Sequence, residues 1–293
     1  MEPTTQVDRR EAFLVGAAVG AALAATTAAC GDPAAVRATL RDGDPVPSAA
    51  PDGRRRAATA LADDLLVELL GGGVDLRRLG GRWVTWLEGD GLEAGPVLVA
   101  ALEHLREFDA PVAELPAHNA TALAAALPAA LASGSPRAMI SGAFHVARML
   151  DPDERTGLST VAMVVAAAEL LDGHRDFVAE VVAALRANDA PADLVEALRA
   201  IPRDPRTPPP IPRGDCPDVV QVTSWVMWQL HHRPRSADAL REMALAGGLR
   251  PCVGAILGAL LGARDGTATW PESWLLETGE EVVLRKAVAA RIG

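Results

Sequence analysis

The sequence predicts an all-α fold, and three observations carry that prediction. Nearly every periodic segment places its apolar residues at helical spacing. No stretch shows the alternation of a half-buried strand. The chain of 293 residues is 49% hydrophobic but only 3% aromatic, with no Tyr, so its core is built from Ala, Leu and Val. Such a composition favours closely packed helices over sheets, which draw on aromatic and β-branched residues.

The helices follow in order. Phe13 opens an uncharged stretch running to Cys30. Thr59 to Leu70 sets Leu61, Leu65, Leu66, Leu69 and Leu70 on one face and stops at Gly71-Gly72-Gly73. Asp75 to Leu87, Gly95 to Phe108, Ala120 to Leu131 and Pro136 to Leu150 repeat the pattern. So do Arg155 to Leu171, Asp176 to Ala187, Ala192 to Ile201, Val219 to His231, Ala237 to Ala246 and Cys252 to Ala263. Asp42 to Arg56 and the Pro-rich run 202–217 read as loops, because successive prolines forbid helix. The helices beyond 217 are too few and too apolar to stand alone. Residues 1–293 are therefore expected to form one domain, with the 202–217 loop inside it.

Composition also excludes function classes. Asp and Glu number 38 against 28 Lys and Arg, a net charge of −10, which argues against a nucleic-acid partner. Apart from the weakly hydrophobic Phe13 to Cys30 stretch, every apolar run is broken by charge or Pro, so no other stretch reads as a membrane span. Arg9-Arg10 before the uncharged stretch, with Thr27-Ala28-Ala29-Cys30 after it, has the outline of a lipoprotein leader. The same stretch also reads as a first core helix, and on that reading the protein is expected to be cytoplasmic. Cys30, Cys216 and Cys252 lack any zinc or disulfide spacing and read as reduced thiols.

The order of segments resembles the ADP-ribosylglycohydrolase family, of the dinitrogenase-reductase-activating glycohydrolase type, along nearly the whole chain. Phe13 to Leu23 resembles the opening helix that usually reads G-x-x-x-G-D-A-L-G. Thr59-Ala60-Leu61-Ala62 resembles the helix after a T-D-D-T motif, and Asp151-Pro152-Asp153-Glu154-Arg155 an H-P-D-P-R turn. Ser224 to Gly248 resembles the penultimate helices, and Val253 to Arg264 the final core helix, with Trp270 to Leu275 as its tail. The resemblance implies an all-helical fold around a central cleft. It also implies a hydrolase using two Mg²⁺ or Mn²⁺ ions, which require several ionised oxygen ligands.

This chain departs from the family at those ligands. The opening-helix Asp is Ala21, and T-D-D-T reads Arg56-Ala57-Ala58-Thr59. The G-G-D-x-D-T run ends Gly248-Leu249-Arg250-Pro251-Cys252, with both Asp positions lost, and the turn His is Asp151. No metal and no other cofactor is therefore expected. Arg56 and Arg250 stand at predicted helix starts, where free N–H groups and guanidinium charge suit phosphate or carboxylate. Arg56, Thr59, Asn119 and Arg250 are the candidate ligand-binding residues, and Asp151, Cys252 and His118 the candidate catalytic ones. A helix start beside Arg250 would lower the Cys252 thiol pKa. The bland alternative is that these arginines are solvated, or pair with Asp63, Asp64 or Asp151. His231-His232 reads as a polar helix end, and Trp225 with Trp228 as core.

Two functions follow. One is a pseudo-hydrolase that binds an anionic or nucleotide-like small molecule, or a partner, in the former active-site cleft. The other is a repurposed, metal-independent enzyme acting on a small biosynthetic metabolite.

Overall fold

A computed structural model describes residues 5–41, 43–48, 54–88, 92–108, 119–132, 134–203, 205–214 and 216–292. The chain runs α1 (Gln6–Thr27), α2 (Pro33–Leu40), β1 (Arg55–Arg56), α3 (Ala57–Leu70), α4 (Leu76–Thr85), β2 (Leu92–Glu93), α5 (Pro96–Phe108), α6 (Ala120–Ala126) and α7 (Pro136–Arg148). It continues through α8 (Glu154–Leu171), α9 (Phe177–Ala187), α10 (Ala192–Ala200), α11 (Val219–His232), α12 (Ser236–Ala246), α13 (Pro251–Asp265), α14 (Glu272–Thr278) and α15 (Glu280–Ile292). The all-α expectation holds. Helices α2, α14 and α15 are not predicted by the spacing, nor is the two-residue parallel pairing of β1 with β2, which is too short for any alternation to show.

Side-chain acceptors start several of the helices. Thr5 caps α1, Asp32 caps α2, Asp75 caps α4, Ser135 caps α7, Asp153 caps α8 and Asp218 caps α11, each taking one or two otherwise unpaired backbone N–H groups. The single helix expected over Ala120–Leu131 tightens after Ala126 into a 3₁₀ turn, Leu127–Leu131, at Pro128, which has no N–H to continue the α ladder.

Packing centres on α8 and on the pair α1 and α13. Helix α8 is buried almost all round, through Leu158, Val161, Met163, Val164 and Leu170, the burial of a core helix rather than a surface one. Each such side chain contributes about 1.5–3 kcal/mol relative to exposure. Helices α1 and α13 meet backbone to backbone through Gly16, Gly20, Gly254, Gly258 and Gly262. The uncharged stretch after Phe13 is thus the core of the fold, and among the described residues no helix is long and apolar enough to cross a membrane. Helix α3 joins the main core to a second cluster with α4, α5, α6 and α7. There the buried Glu68 holds α4, accepting from Arg78 Nε at 2.7 Å and Arg82 Nε at 3.1 Å. The Pro-rich loop is tied to the same body: Arg213 donates to Ala246 O at 2.9 Å and Gln221 Nε2 to Pro210 O at 3.2 Å.

Candidate functional site

Helices α3, α6 and α13 pack on one another, so their N-terminal turns share one region of the molecule. Like α12 with Arg235, α3 and α13 have arginine at the N-cap, Arg56 and Arg250, and none of the three receives a side-chain cap; what sets α3 and α13 apart is that their starts adjoin. Their first-turn N–H groups carry the positive end of each helix dipole. The β1–β2 pairing brings the two arginines towards each other. Arg56 pairs with Glu93, and two residues on, a Cβ built at Gly95 would stand 3.3 Å from Arg250 Nη2. Arg56 is buried and its Nη2 donates to Ser48 O at 2.5 Å, so it is no solvated loop residue. Thr59, also buried, turns its hydroxyl back to Arg56 O at 3.0 Å.

Asp151 and Asn119 form a structural joint. The carboxylate of Asp151 is fully buried and accepts from the backbone N of Asn119 (3.0 Å), the backbone N of Asp153 (3.0 Å) and the hydroxyl of Thr156 (2.6 Å). Three internal donors commit it to holding the approach to α6 against the start of α8. Asn119 in turn caps α6 by accepting from Thr121 N at 3.2 Å. His118 lies outside the described residues.

Cys252 corrects an expectation. The thiol is in the first turn of α13, beside Thr121 and Arg250, where the dipole and the charge act to lower its pKa. Burial outweighs both and pushes the thiol above its ordinary value, because a thiolate there would lose nearly all its water. A buried thiol with a raised pKa is a poor source of thiolate at neutral pH.

The residue that the sequence reading missed is Arg285. It enters from α15, is 1% exposed, and donates to Leu14 O of α1 and Thr59 O of α3, each at 3.1 Å. Its Nη2 also stands 2.8 Å from Asp63 Oδ1, a contact ionic in character rather than an aligned hydrogen bond. Asp63 is paired as well with Arg55. The guanidinium borders a cavity of only about 10 Å³, lined by Phe13, Thr59, Leu127, Ala255 and other small or apolar groups, with room for about one water. A signal for Arg285 existed: Val282, Arg285 and Ala289 share one helical face, and the two apolar members are buried. An arginine on a buried face calls for acceptors.

One further carboxylate stands out. Asp64 is half-buried and burial raises its pKa, although Trp86 Nε1 donates to it at 2.8 Å and Arg82 lies near. Arg55 lies over the same indole, 5.8 Å from the ring centre.

These residues do not fit a pair of hard divalent cations. Where the family resemblance places aspartates stand Ala21, Ala57 and Ala58, and the α13 start carries Arg250, Pro251 and Cys252. Among the described residues no group of three or more His, Cys, Asp or Glu could hold a metal ion.

Fold and site together define an all-helical, single-domain protein in which the starts of α3 and α13, each led by arginine, adjoin. The ADP-ribosylglycohydrolase family model matches residues 1–292, and the chain belongs to that family. A solved structure described as an ADP-ribosylglycohydrolase-related protein complex superposes with a TM-score of 0.77, covering 99% of this chain and 98% of that one. At 21% identity that likeness establishes the fold alone. No curated protein matches the sequence.

Proposed function

We infer that this protein is a divergent, non-hydrolytic member of the family that binds an anionic, nucleotide-like small molecule in the former active-site cleft. One observation carries the reading: two adjoining helix starts, α3 and α13, are led by arginine and lack side-chain caps, so N–H groups and guanidinium charge supply the attraction that dications would. The loss of the aspartates, the internal commitment of Asp151 and the protonated Cys252 thiol support binding over cleavage. Arg285 and the small cavity beside it fill the cleft floor, which favours a ligand held near the rim.

Calorimetry with ADP-ribose, nucleotides, sugar phosphates and small carboxylates tests this on wild type and Arg250→Ala. A charge-assisted hydrogen bond contributes about 1.5–3 kcal/mol, so the substitution is expected to weaken binding tenfold or more. If no anion binds, or if binding ignores Arg250, the reading fails. The alternative, a metal-independent enzyme acting on a small metabolite, draws on Asp64, whose raised pKa suits a general acid. Turnover of a metabolite that survives chelation and is lost in Asp64→Asn would favour it.

A further inference from the structure

We propose that Glu93 is the selectivity residue of the arginine-led site, which favours a small phosphate ester carrying a hydroxyl or ammonium group over one that carries neither. The inference rests on the anion-binding reading above and adds to it the second half of the ligand. Position is the first argument. Glu93 is the register partner of Arg56 in the parallel β1–β2 pair, where strands lie about 4.8 Å apart and aligned residues project to the same face. Two residues on, Gly95 lies beside Arg250 Nη2. The chain here runs from the start of α3 towards the start of α13, and Glu93 stands on the stretch between them.

Unsatisfied polar atoms are the second argument. Glu93 is half-buried, yet its Oε2 is shut off from water and accepts no hydrogen bond among the described residues. A carboxylate oxygen without a donor is costly, and a ligand that brings a donor removes that cost. Donors nearby are in the same condition. Arg54 Nε, just before β1, and Asn119 Nδ2, at the start of α6 on a residue 5% exposed, are both buried with no acceptor among the described residues. The carboxamide oxygen of Asn119 is occupied by Thr121 N, and the Thr121 side chain meets Cys252 in the first turn of α13. Two unsatisfied donors and one unsatisfied acceptor thus border the adjoining helix starts. A phosphate suits the donors, the guanidinium charge and the helix N–H groups. Glu93 repels that phosphate unless a hydroxyl or ammonium on the same molecule turns towards its oxygen, and such a repulsive element discriminates between ligands that share one charged group.

Calorimetry on the full chain with matched probes tests this: ethyl phosphate, hydroxyethyl phosphate and aminoethyl phosphate. Wild type is expected to bind a donor-bearing ester at least about tenfold more tightly than ethyl phosphate. Glu93→Ala is expected to erase that preference while ethyl phosphate binds at least as well as in wild type. Glu93→Gln separates the two donors, since it keeps an acceptor for a hydroxyl but loses the charge that holds an ammonium. Unfolding without ligand gives a second readout. Removing an unpartnered carboxylate should leave Glu93→Gln at least as stable as wild type, whereas a structural carboxylate would destabilise on substitution. If wild type binds ethyl phosphate and prefers neither other ester, or if the preference survives in Glu93→Ala, the proposal is wrong while the anion site stands. If no probe binds, the anion site fails and the proposal with it. A destabilised Glu93→Gln, or a Glu93→Ala that does not fold, would make Glu93 structural and overturn the proposal.

Discussion

Arg285 and Asp63 stand 2.8 Å apart across the contact between the last helix and the third, and that pair joins the fold's end to its cleft. Removing one member of a buried pair typically costs about 3–5 kcal/mol, because the other charge is left stranded. Arg285 is held at its other end by Leu14 O and Thr59 O and shares its buried helix face with Val282 and Ala289, so it has no ready route to water. Asp63→Asn is therefore expected to destabilise by about 3–5 kcal/mol in urea unfolding. A loss well below that range would mean that the guanidinium reaches water without its carboxylate.

Glycine at the α1–α13 contact is a matter of space rather than flexibility. A Cβ at Gly254 would lie 2.2 Å from Gly20 O, and one at Gly20 would lie 2.0 Å from Gly254 O. Both neighbours are helix backbone and cannot step aside, so the helices must separate. Gly254→Ala is expected to cost about 1–3 kcal/mol or more, as overpacked cores do. Gly142, inside α7 with nothing within 4 Å of a built Cβ, is the control. Gly142→Ala should stabilise by about 0.5–1 kcal/mol through helix propensity. Thermal unfolding of both variants checks the opposite signs.

The helical pattern and the order of motifs made the fold legible, since a period of 3.6 residues is written directly in the spacing of Leu, Val and Ala. The arginine-led helix starts were legible too, because Arg56 and Arg250 stand where a cap or a metal ligand is usual. What escaped was set by tertiary contact. The acceptors of Arg285 lie 271, 226 and 222 residues away, at Leu14, Thr59 and Asp63, and two are backbone carbonyls that no side-chain motif marks. Cys252 misled for a related reason: its dipole and its charged neighbour are local and readable, whereas the burial that outweighs them is the work of the whole core.

Asp64 gives the stability curve a sign. Its folded pKa is raised above the ordinary aspartate value, chiefly by burial, so the native state holds its proton more tightly than the unfolded chain. Its contribution is greatest below the unfolded pKa of about 3.9 and is lost as pH rises through the folded pKa. Asp64→Asn keeps an acceptor for Trp86 Nε1 and removes that loss. The variant is expected to gain stability relative to wild type at neutral pH, and to gain progressively less as pH falls towards about 3.9. Unfolding midpoints measured from about pH 3 to about pH 7 decide it. A difference that is constant with pH would mean that Asp64 does not titrate with folding.

Thiol reactivity separates the three cysteines. Cys216 is exposed, whereas Cys30 and Cys252 are buried, and Cys30 contacts the Thr39 hydroxyl with its Sγ at 3.4 Å. The nucleophile is the thiolate, so reactivity at neutral pH falls both with burial and with a raised pKa, and Cys252 has both. Arg250 and the α13 start pull the other way, but they act on a group that cannot be solvated as an anion. Iodoacetamide at about pH 7.5 on the native protein is expected to label Cys216 fast, leaving Cys252 unmodified until the chain unfolds. Cys252→Ser should leave anion binding in the cleft unchanged, because the buried thiol touches Thr121 rather than the rim. Peptide mapping after brief alkylation provides the check. Labelling of Cys252 at a rate comparable with Cys216 would return it to the set of candidate nucleophiles and place the metal-independent enzyme ahead of the binder.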